Sequence, residues 1–280
     1  MQQGQASRTA LGAAGHRAAH QVLEQGRIFA DPLALRILGA DAEEALGEAE
    51  REPRRRGLRL FIAVRTRFAE DALAAAIARG ANQLVVLGAG LDTYAYRANP
   101  GAALRVFEVD HPATQAWKRE RLASAGIAIP PALTFAPVDF ERESLADGLA
   151  AAGFDPARRS FFTWLGVTPY LTEQAIFATL GFIADLPGGA EVVFDYANPP
   201  EAIDDPERRA AHEALAARVA AAGEAFRCYL DTPTLAARLG ALGFSEIEDL
   251  GPAEIAARYF PGRATPAART GGHVLRAATR

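Results

Sequence analysis

The chain has 280 residues, 50% hydrophobic and 23% charged, which suits a soluble globular protein long enough for one elaborated domain with a sizeable core. A formal net charge of −4 and a pI near 5.8 give no electrostatic footprint for nucleic acid, and no apolar run reaches the length that crosses a bilayer. Cys228 is the only cysteine, which excludes an intramolecular disulfide and a cysteine-built metal site, and the five histidines lack metal-ligand spacing.

The first segment, Met1 to His20, is polar and Ala-rich without the apolar centre of a signal peptide, so a cytoplasmic location is expected. Residues 6–79 read as helical: Leu11, Val22, Leu23, Leu33, Leu35, Ile37 and Leu38 fall near helical period, with interruptions at Asp31-Pro32 and Pro53. His16 and His20, one helical turn apart, share a face of the first helix. The one basic cluster, Arg51 to Arg56, reads as a solvated turn before a helix. From Leu84 the pattern alternates, with strands near 83–87, 104–109, 133–137, 160–165 and 190–196 and helices near 111–125, 142–152 and 172–186. That rhythm predicts an α/β doubly wound sheet with right-handed crossovers and ligands at the carboxyl ends of the strands, where Gly88, Asp110, Asp139 and Leu165 fall. After Asn198-Pro199-Pro200 a charged, Ala-rich stretch from Glu201 to Arg227 reads as a helical lid. A helix over 235–242 and strands at 244–250 and 272–277 complete the sheet, giving one domain divided into an N-terminal cap (1–80), a core (81–197), a lid (198–232) and a C-terminal completion (233–280).

The most informative stretch is Leu84-Val85-Val86-Leu87-Gly88-Ala89-Gly90-Leu91-Asp92-Thr93. A continuously apolar strand leads into a glycine turn that lets backbone approach a ligand, and Asp110 follows Gly90 by 20 positions, the separation at which a carboxylate on the next strand meets ribose hydroxyls. A dinucleotide fingerprint needs a third small residue where Thr93 stands, and Asp92 would set a negative charge beside a phosphate. A cofactor bearing an ammonium and a sulfonium suits these residues better, and S-adenosylmethionine fits that description. A nicotinamide-dependent oxidoreductase on the same sheet is the alternative, weakened by Asp92, Thr93 and the absence of a Tyr-x-x-x-Lys pair.

Three motifs, Leu87-Gly88-Ala89-Gly90-Leu91-Asp92-Thr93, Phe107-Glu108-Val109-Asp110-His111-Pro112 and Gly166-Val167-Thr168-Pro169-Tyr170-Leu171-Thr172, together resemble the leucine carboxyl methyltransferase-like family in its bacterial branch. Ser7-Arg8-Thr9-Ala10, Phe29 to Ala34 and Val64 to Phe68 resemble its N-terminal segments. The resemblance implies a Rossmann-like class I methyltransferase sheet with added N-terminal helices and a lid after the fifth strand. It also implies S-adenosylmethionine as cofactor and transfer of a methyl group to a carboxylate or hydroxyl oxygen of a small molecule, with bacterial relatives associated with secondary metabolism. A silent cofactor-binding member is a further alternative.

On this resemblance Arg65 faces the carboxylate of the cofactor's methionine part, a group that suits a fork of donors. Gly88, Ala89 and Gly90 cradle the cofactor, and Asp110 takes the ribose, with Glu108 as the other candidate. Asp139 and Phe140 resemble the pair that contacts adenine, Asp139 reading equally well as a helix cap. His111 is a cofactor contact or a helix-start residue before Pro112. Leu165 stands beside the cofactor where distant members carry glutamate, so the role of that acid is lost or moved. Tyr170 and Tyr196 are the candidates to face the methyl group or acceptor, although an aromatic after a core strand often only packs. A carboxylate acceptor needs no base, whereas a phenol or alcohol benefits from one.

Overall fold

A computed structural model describes residues 8–98, 103–139, 143–203, 205–221, 223, 225–262 and 271–280. The helical cap consists of α1 (Arg8–Leu23), α2 (Ala34–Leu38), α3 (Asp41–Arg51) and α4 (Arg56–Ala78), the last entered through a short 3-10 turn at Pro53–Arg55. There follow β1 (Gln83–Leu87), α5 (Tyr94–Arg97), β2 (Arg105–Asp110), α6 (Pro112–Ser124), β3 (Leu133–Pro137), α7 (Leu145–Ala151), β4 (Ser160–Trp164), α8 (Glu173–Ala184) and β5 (Ala190–Ala197). The remainder is α9 (Pro206–Ala221), α10 (Thr232–Ala241), β6 (Glu246–Leu250), α11 (Pro252–Tyr259) and β7 (Gly272–Ala278). Each expected strand is present with its ends within two residues of the predicted ones.

The strands form one sheet in the order β3-β2-β1-β4-β5-β7-β6, parallel from β3 to β5, with β7 antiparallel to both β5 and β6. Strand alternation sorts the core into two layers. Val85, Leu87, Phe107, Val109, Phe162, Trp164 and Phe194 pack on one face with α8 and α10, while Leu84, Val86, Val106, Phe161 and Val193 pack on the other against Val64, Phe68 and Leu73 of α4. The chain reverses its winding between β1 and β4, so the crevice for a ligand opens at their carboxyl ends.

Local signals set the helix ends. The Ser144 hydroxyl accepts from Asp147 N at 3.1 Å and caps α7, the place expected for Asp139; Thr172 caps α8 and Asp231 caps α10. The Asp231-Thr232-Pro233 start makes α10 begin three residues before its first periodic apolar residue, Leu235. Two short helices, α5 and α11, are absent from the predicted pattern because neither offers enough turns to show a period.

Candidate cofactor site

The site begins where β1 ends. Gly88 (φ 63°) and Gly90 (φ 42°) both adopt the left-handed backbone that glycine tolerates best. Both lie against neighbours as well: a Cβ on Gly88 would collide with Val167 Cγ2, and one on Gly90 would stand 2.9 Å from Ala10 Cβ. Ala89 N donates to Val109 O at 3.1 Å, which ties the turn to the end of β2. There the Asp110 carboxylate accepts from Gly90 N through Oδ2 and from His111 N through Oδ1, each at 2.7 Å. Burial pushes the Asp110 carboxyl up, while those two backbone donors and Lys118 oppose the shift.

Glu108, the other candidate for the ribose, is committed elsewhere. Its Oε2 is 2.7 Å from Nζ of Lys118, the sole lysine, and accepts from Tyr96 OH at 3.2 Å. All this lies inside the protein, and burial drives the Glu108 carboxyl up to about 7 in spite of the ammonium beside it. The Oε1 atom is buried with no hydrogen-bond partner. Asp110 alone of the two acids stands at the strand end.

Arg65 projects from α4 to the carboxyl ends of β4 and β5, where Nη1 donates to Asp195 Oδ2 at 2.7 Å. The other Asp195 oxygen accepts from Gly166 N at 2.6 Å, and a Cβ on Gly166 would come within 2.6 Å of Arg65 Nη2. Thr168 Oγ1 donates to the Asp195 carbonyl in the same turn. The guanidinium is therefore held by one edge, and its Nε is buried without a partner. Asp195 was not singled out in the sequence: it sits inside the run Val192-Val193-Phe194-Asp195-Tyr196, and an acid within so apolar a strand was the available signal.

A second buried lattice joins the cap to the glycine turn. Asp31 accepts from Leu33 N (3.0 Å) through Oδ1 and from Arg17 Nε (3.3 Å) and Thr93 Oγ1 (2.7 Å) through Oδ2, and Arg17 Nη2 donates to Leu91 O. Thr93 is thus occupied in anchoring the cap. The helix that follows, α5, has only four residues, so the dinucleotide arrangement of a long helix aimed at a pyrophosphate is not built here.

The remaining expected residues are distributed as follows. His111 caps α6, its Nδ1 accepting from Ala113 N at 3.1 Å. Asp139 is half-buried beyond β3, its backbone N donating to Glu143 Oε2 at 2.8 Å, and Phe140 lies outside the described residues. Leu165 packs with Thr163, Val86, Leu84 and Asp92 around a small cavity of about 20 Å³ beside the glycine turn. Tyr170 ends the 3-10 turn Thr168–Tyr170, its ring 5.3 Å from that of Phe226. Tyr196, expected to face the methyl group or acceptor, has its side chain engaged with β6, β7 and α10. Its hydroxyl donates to Asp249 Oδ2 at 2.6 Å and lies 2.9 Å from Thr232 Oγ1, and its ring stacks on His273, its register partner on β7, at 4.7 Å. Burial and Asp249 raise the phenol's pKa, and these contacts tie β5 to β6 and β7. Among the described residues no group of His, Cys, Asp and Glu could hold a metal ion, and no helix is long and apolar enough to cross a membrane.

Comparison with known proteins gives the family and the fold. A sequence profile of the family described as leucine carboxyl methyltransferase matches residues 10–184. A Bacillus subtilis protein named "Putative S-adenosyl-L-methionine-dependent methyltransferase YktD" is 40% identical over 137 residues, 48% of this chain and 44% of that protein. A Frankia alni protein of the same description, FRAAL3718, is 36% identical over 174 residues, 60% of each chain. The chain thus matches less than two thirds of the length of either relative. Among solved structures, a possible exported protein from Bordetella parapertussis shares the fold at a TM-score of 0.52 and 14% identity, covering 98% of this chain and 97% of that one. The chain belongs to the leucine carboxyl methyltransferase family, on a Rossmann-like α/β sheet.

Proposed function

We propose that the protein transfers the methyl group of S-adenosylmethionine to an oxygen of a small molecule. The observation that carries this reading is the unpaired, buried Arg65 Nε at the strand ends where the Gly88–Gly90 turn and Asp110 also meet. A donor edge left unsatisfied in the interior fits a carboxylate such as that of the cofactor's methionine part. Gly88 and Gly90 leave room for a ligand against backbone, Asp110 accepts from the ribose, Asp139 from the adenine amine, and Leu165 with Val167 makes an apolar wall beside the reacting carbon. The cofactor, when bound, supplies a sulfonium-borne methyl group.

The protein's part is then to align and to exclude water. An in-line displacement gains most from fixing acceptor and donor at the right distance and angle, a contribution of up to about 7–11 kcal/mol. The cap at residues 1–80 and the lid at 198–232 enclose the acceptor around the core at 81–197, with 233–280 completing the sheet. We place it as a cytoplasmic enzyme of small-molecule, secondary metabolism with neither nucleic acid nor a membrane as partner; the net charge of −4 disfavours the first of these. Thermal unfolding with added ligand tests the reading. S-adenosylhomocysteine should raise the unfolding temperature in a concentration-dependent way and NADH should not; stabilisation by NADH alone would establish the oxidoreductase alternative.

A further inference from the structure

We propose that the acceptor is an aromatic hydroxyl compound held between the lid and the turn after β4, with His212 of α9 accepting its hydroxyl proton. This rests on the methyl-transfer reading above and narrows its acceptor.

Beyond α9 the lid segment 225–230 returns to the sheet and is pinned there, Arg227 N donating to Pro169 O at 2.7 Å and Cys228 N to the same oxygen at 3.3 Å. Pro169 belongs to the turn whose Val167 closes on Gly88, so the segment sits over the carboxyl ends of the parallel strands, beside the cofactor's place. Four rings meet at this point. Tyr170 is 5.3 Å from Phe226, Phe226 is 6.2 Å from Tyr229, and the His212 ring is 6.0 Å from Phe226 and 5.3 Å from Tyr229. They are tilted by 35° to 89° to one another, so none stacks squarely on its neighbour. Such a cluster favours a flat aromatic guest.

The anomaly within it is His212 Nε2, which is buried and has no hydrogen-bond partner. Buried polar atoms in native proteins are nearly always paired, so an orphan at a candidate site asks for a ligand group. Burial holds the imidazole pKa below its ordinary value, with Glu213 on the same helix opposing the shift, and the ring is neutral near pH 7. The other titratable groups near the cluster are Tyr170 on the turn, Arg227 and Tyr229 on the lid segment, and Glu201 before α9; burial, with the charge of Glu201, pushes the Tyr229 phenol up, so it stays protonated. A neutral imidazole offers a lone pair to an O–H donor. A carboxylate acceptor, already ionised, brings no proton for it. Next to the cluster, and sharing Tyr229 with it, lies an open cleft of about 180 Å³ lined by Phe177, Leu230 and Leu235 together with the charged Glu173, Asp231 and Arg238, room for one aromatic ring system bearing a polar group given that a cavity of about 150 Å³ holds benzene.

In the transfer, the acceptor's O–H proton passes to His212 Nε2 while its oxygen forms the O–CH3 bond and the S–CH3 bond breaks. The products are the aryl methyl ether and S-adenosylhomocysteine, and the imidazolium returns its proton to solvent.

The test titrates protein saturated with S-adenosylhomocysteine with 2-naphthol and, separately, with 2-naphthoate, following the probe's fluorescence. Wild type is compared with His212→Phe, which keeps a ring and removes the nitrogen, and with Phe226→Ala. Saturable binding of 2-naphthol in preference to 2-naphthoate is expected, with affinity about 5-fold lower or worse in His212→Phe, the loss that follows one hydrogen bond. Phe226→Ala should weaken both probes, and both variants should keep the wild-type affinity for S-adenosylhomocysteine. No binding of 2-naphthol by protein that does take S-adenosylhomocysteine overturns the assignment. So does equal or tighter binding of 2-naphthoate, or a His212→Phe variant that binds 2-naphthol as wild type does. Protein that fails to take S-adenosylhomocysteine at all overturns the methyl-transfer reading, and this proposal with it.

Discussion

Asp195→Ala should be among the most damaging single changes at the site, although the carboxylate touches no part of the expected acceptor. Its two oxygens hold Arg65 Nη1 at 2.7 Å and Gly166 N at 2.6 Å, and Asp195 and Arg65 are both buried. Alanine leaves a guanidinium in the interior without its counter-ion, a loss of about 3–5 kcal/mol, the same range as the cost of breaking other buried pairs. The Gly166 N–H is left unpaired as well, worth about 1–3 kcal/mol alone, but the two losses share one carboxylate and do not add in full. At roughly 3 kcal/mol/M for the urea dependence of a chain this size, the unfolding midpoint should fall by about 1–2 M with the slope unchanged. Arg65→Met combined with Asp195→Leu should recover at least half of that loss, because it removes both charges together. A midpoint within about 0.3 M of wild type for Asp195→Ala, or a double variant no more stable than the single one, would refute the reasoning.

Gly88→Ala should destabilise by about 2 kcal/mol or more, since φ is 63° and the added carbon meets Val167; adding Val167→Ala should relieve the collision but not the backbone strain, recovering only part in a urea titration. Tyr196→Phe should cost about 1–3 kcal/mol in the same assay while leaving the affinity for S-adenosylhomocysteine within about twofold, which checks its structural assignment. His16 supplies a pH signature. Burial, with Arg55 and Arg59 nearby, pushes its pKa down to about 4. The unfolded chain therefore binds a proton that the folded one refuses between about pH 6.5 and 4, and stability is lost as pH falls through that window, by up to about 3 kcal/mol. His16→Gln should remove this part of the acid sensitivity; parallel pH profiles of wild type and variant unfolding would count against it.

The sheet was legible because its strands are short apolar runs bounded by turn residues, a local property of residues such as Leu84 to Leu87. That Asp110 reaches the glycine turn was legible for the same reason, since its distance from Gly90 is a sequence distance. Asp195 was not, because its partner Arg65 lies 130 positions away and the pairing exists only once α4 crosses the ends of β4 and β5. Tyr196 looked available for chemistry because it ends a central strand. Only the antiparallel return of β7 sets His273 opposite it, and only the approach of β6 brings Asp249 to its hydroxyl. Thr93 was read as a defect in a dinucleotide fingerprint, yet its hydroxyl is one of the buried donors that tie Asp31, and with it the N-terminal cap, to the turn. His212 gave no signal because α9 is Ala-rich, with no buried face to set its histidine apart.

The most direct test of the central claim is calorimetric titration of S-adenosylhomocysteine into wild-type protein, Asp110→Ala and Arg65→Leu. Saturable heat at one site in the wild type is predicted, with affinity lowered by about 10-fold or more in each variant, the loss that accompanies a charge-assisted contact of about 1.5–3 kcal/mol. Folded wild-type protein that gives no heat, or variants that bind as tightly as the wild type, would contradict the account.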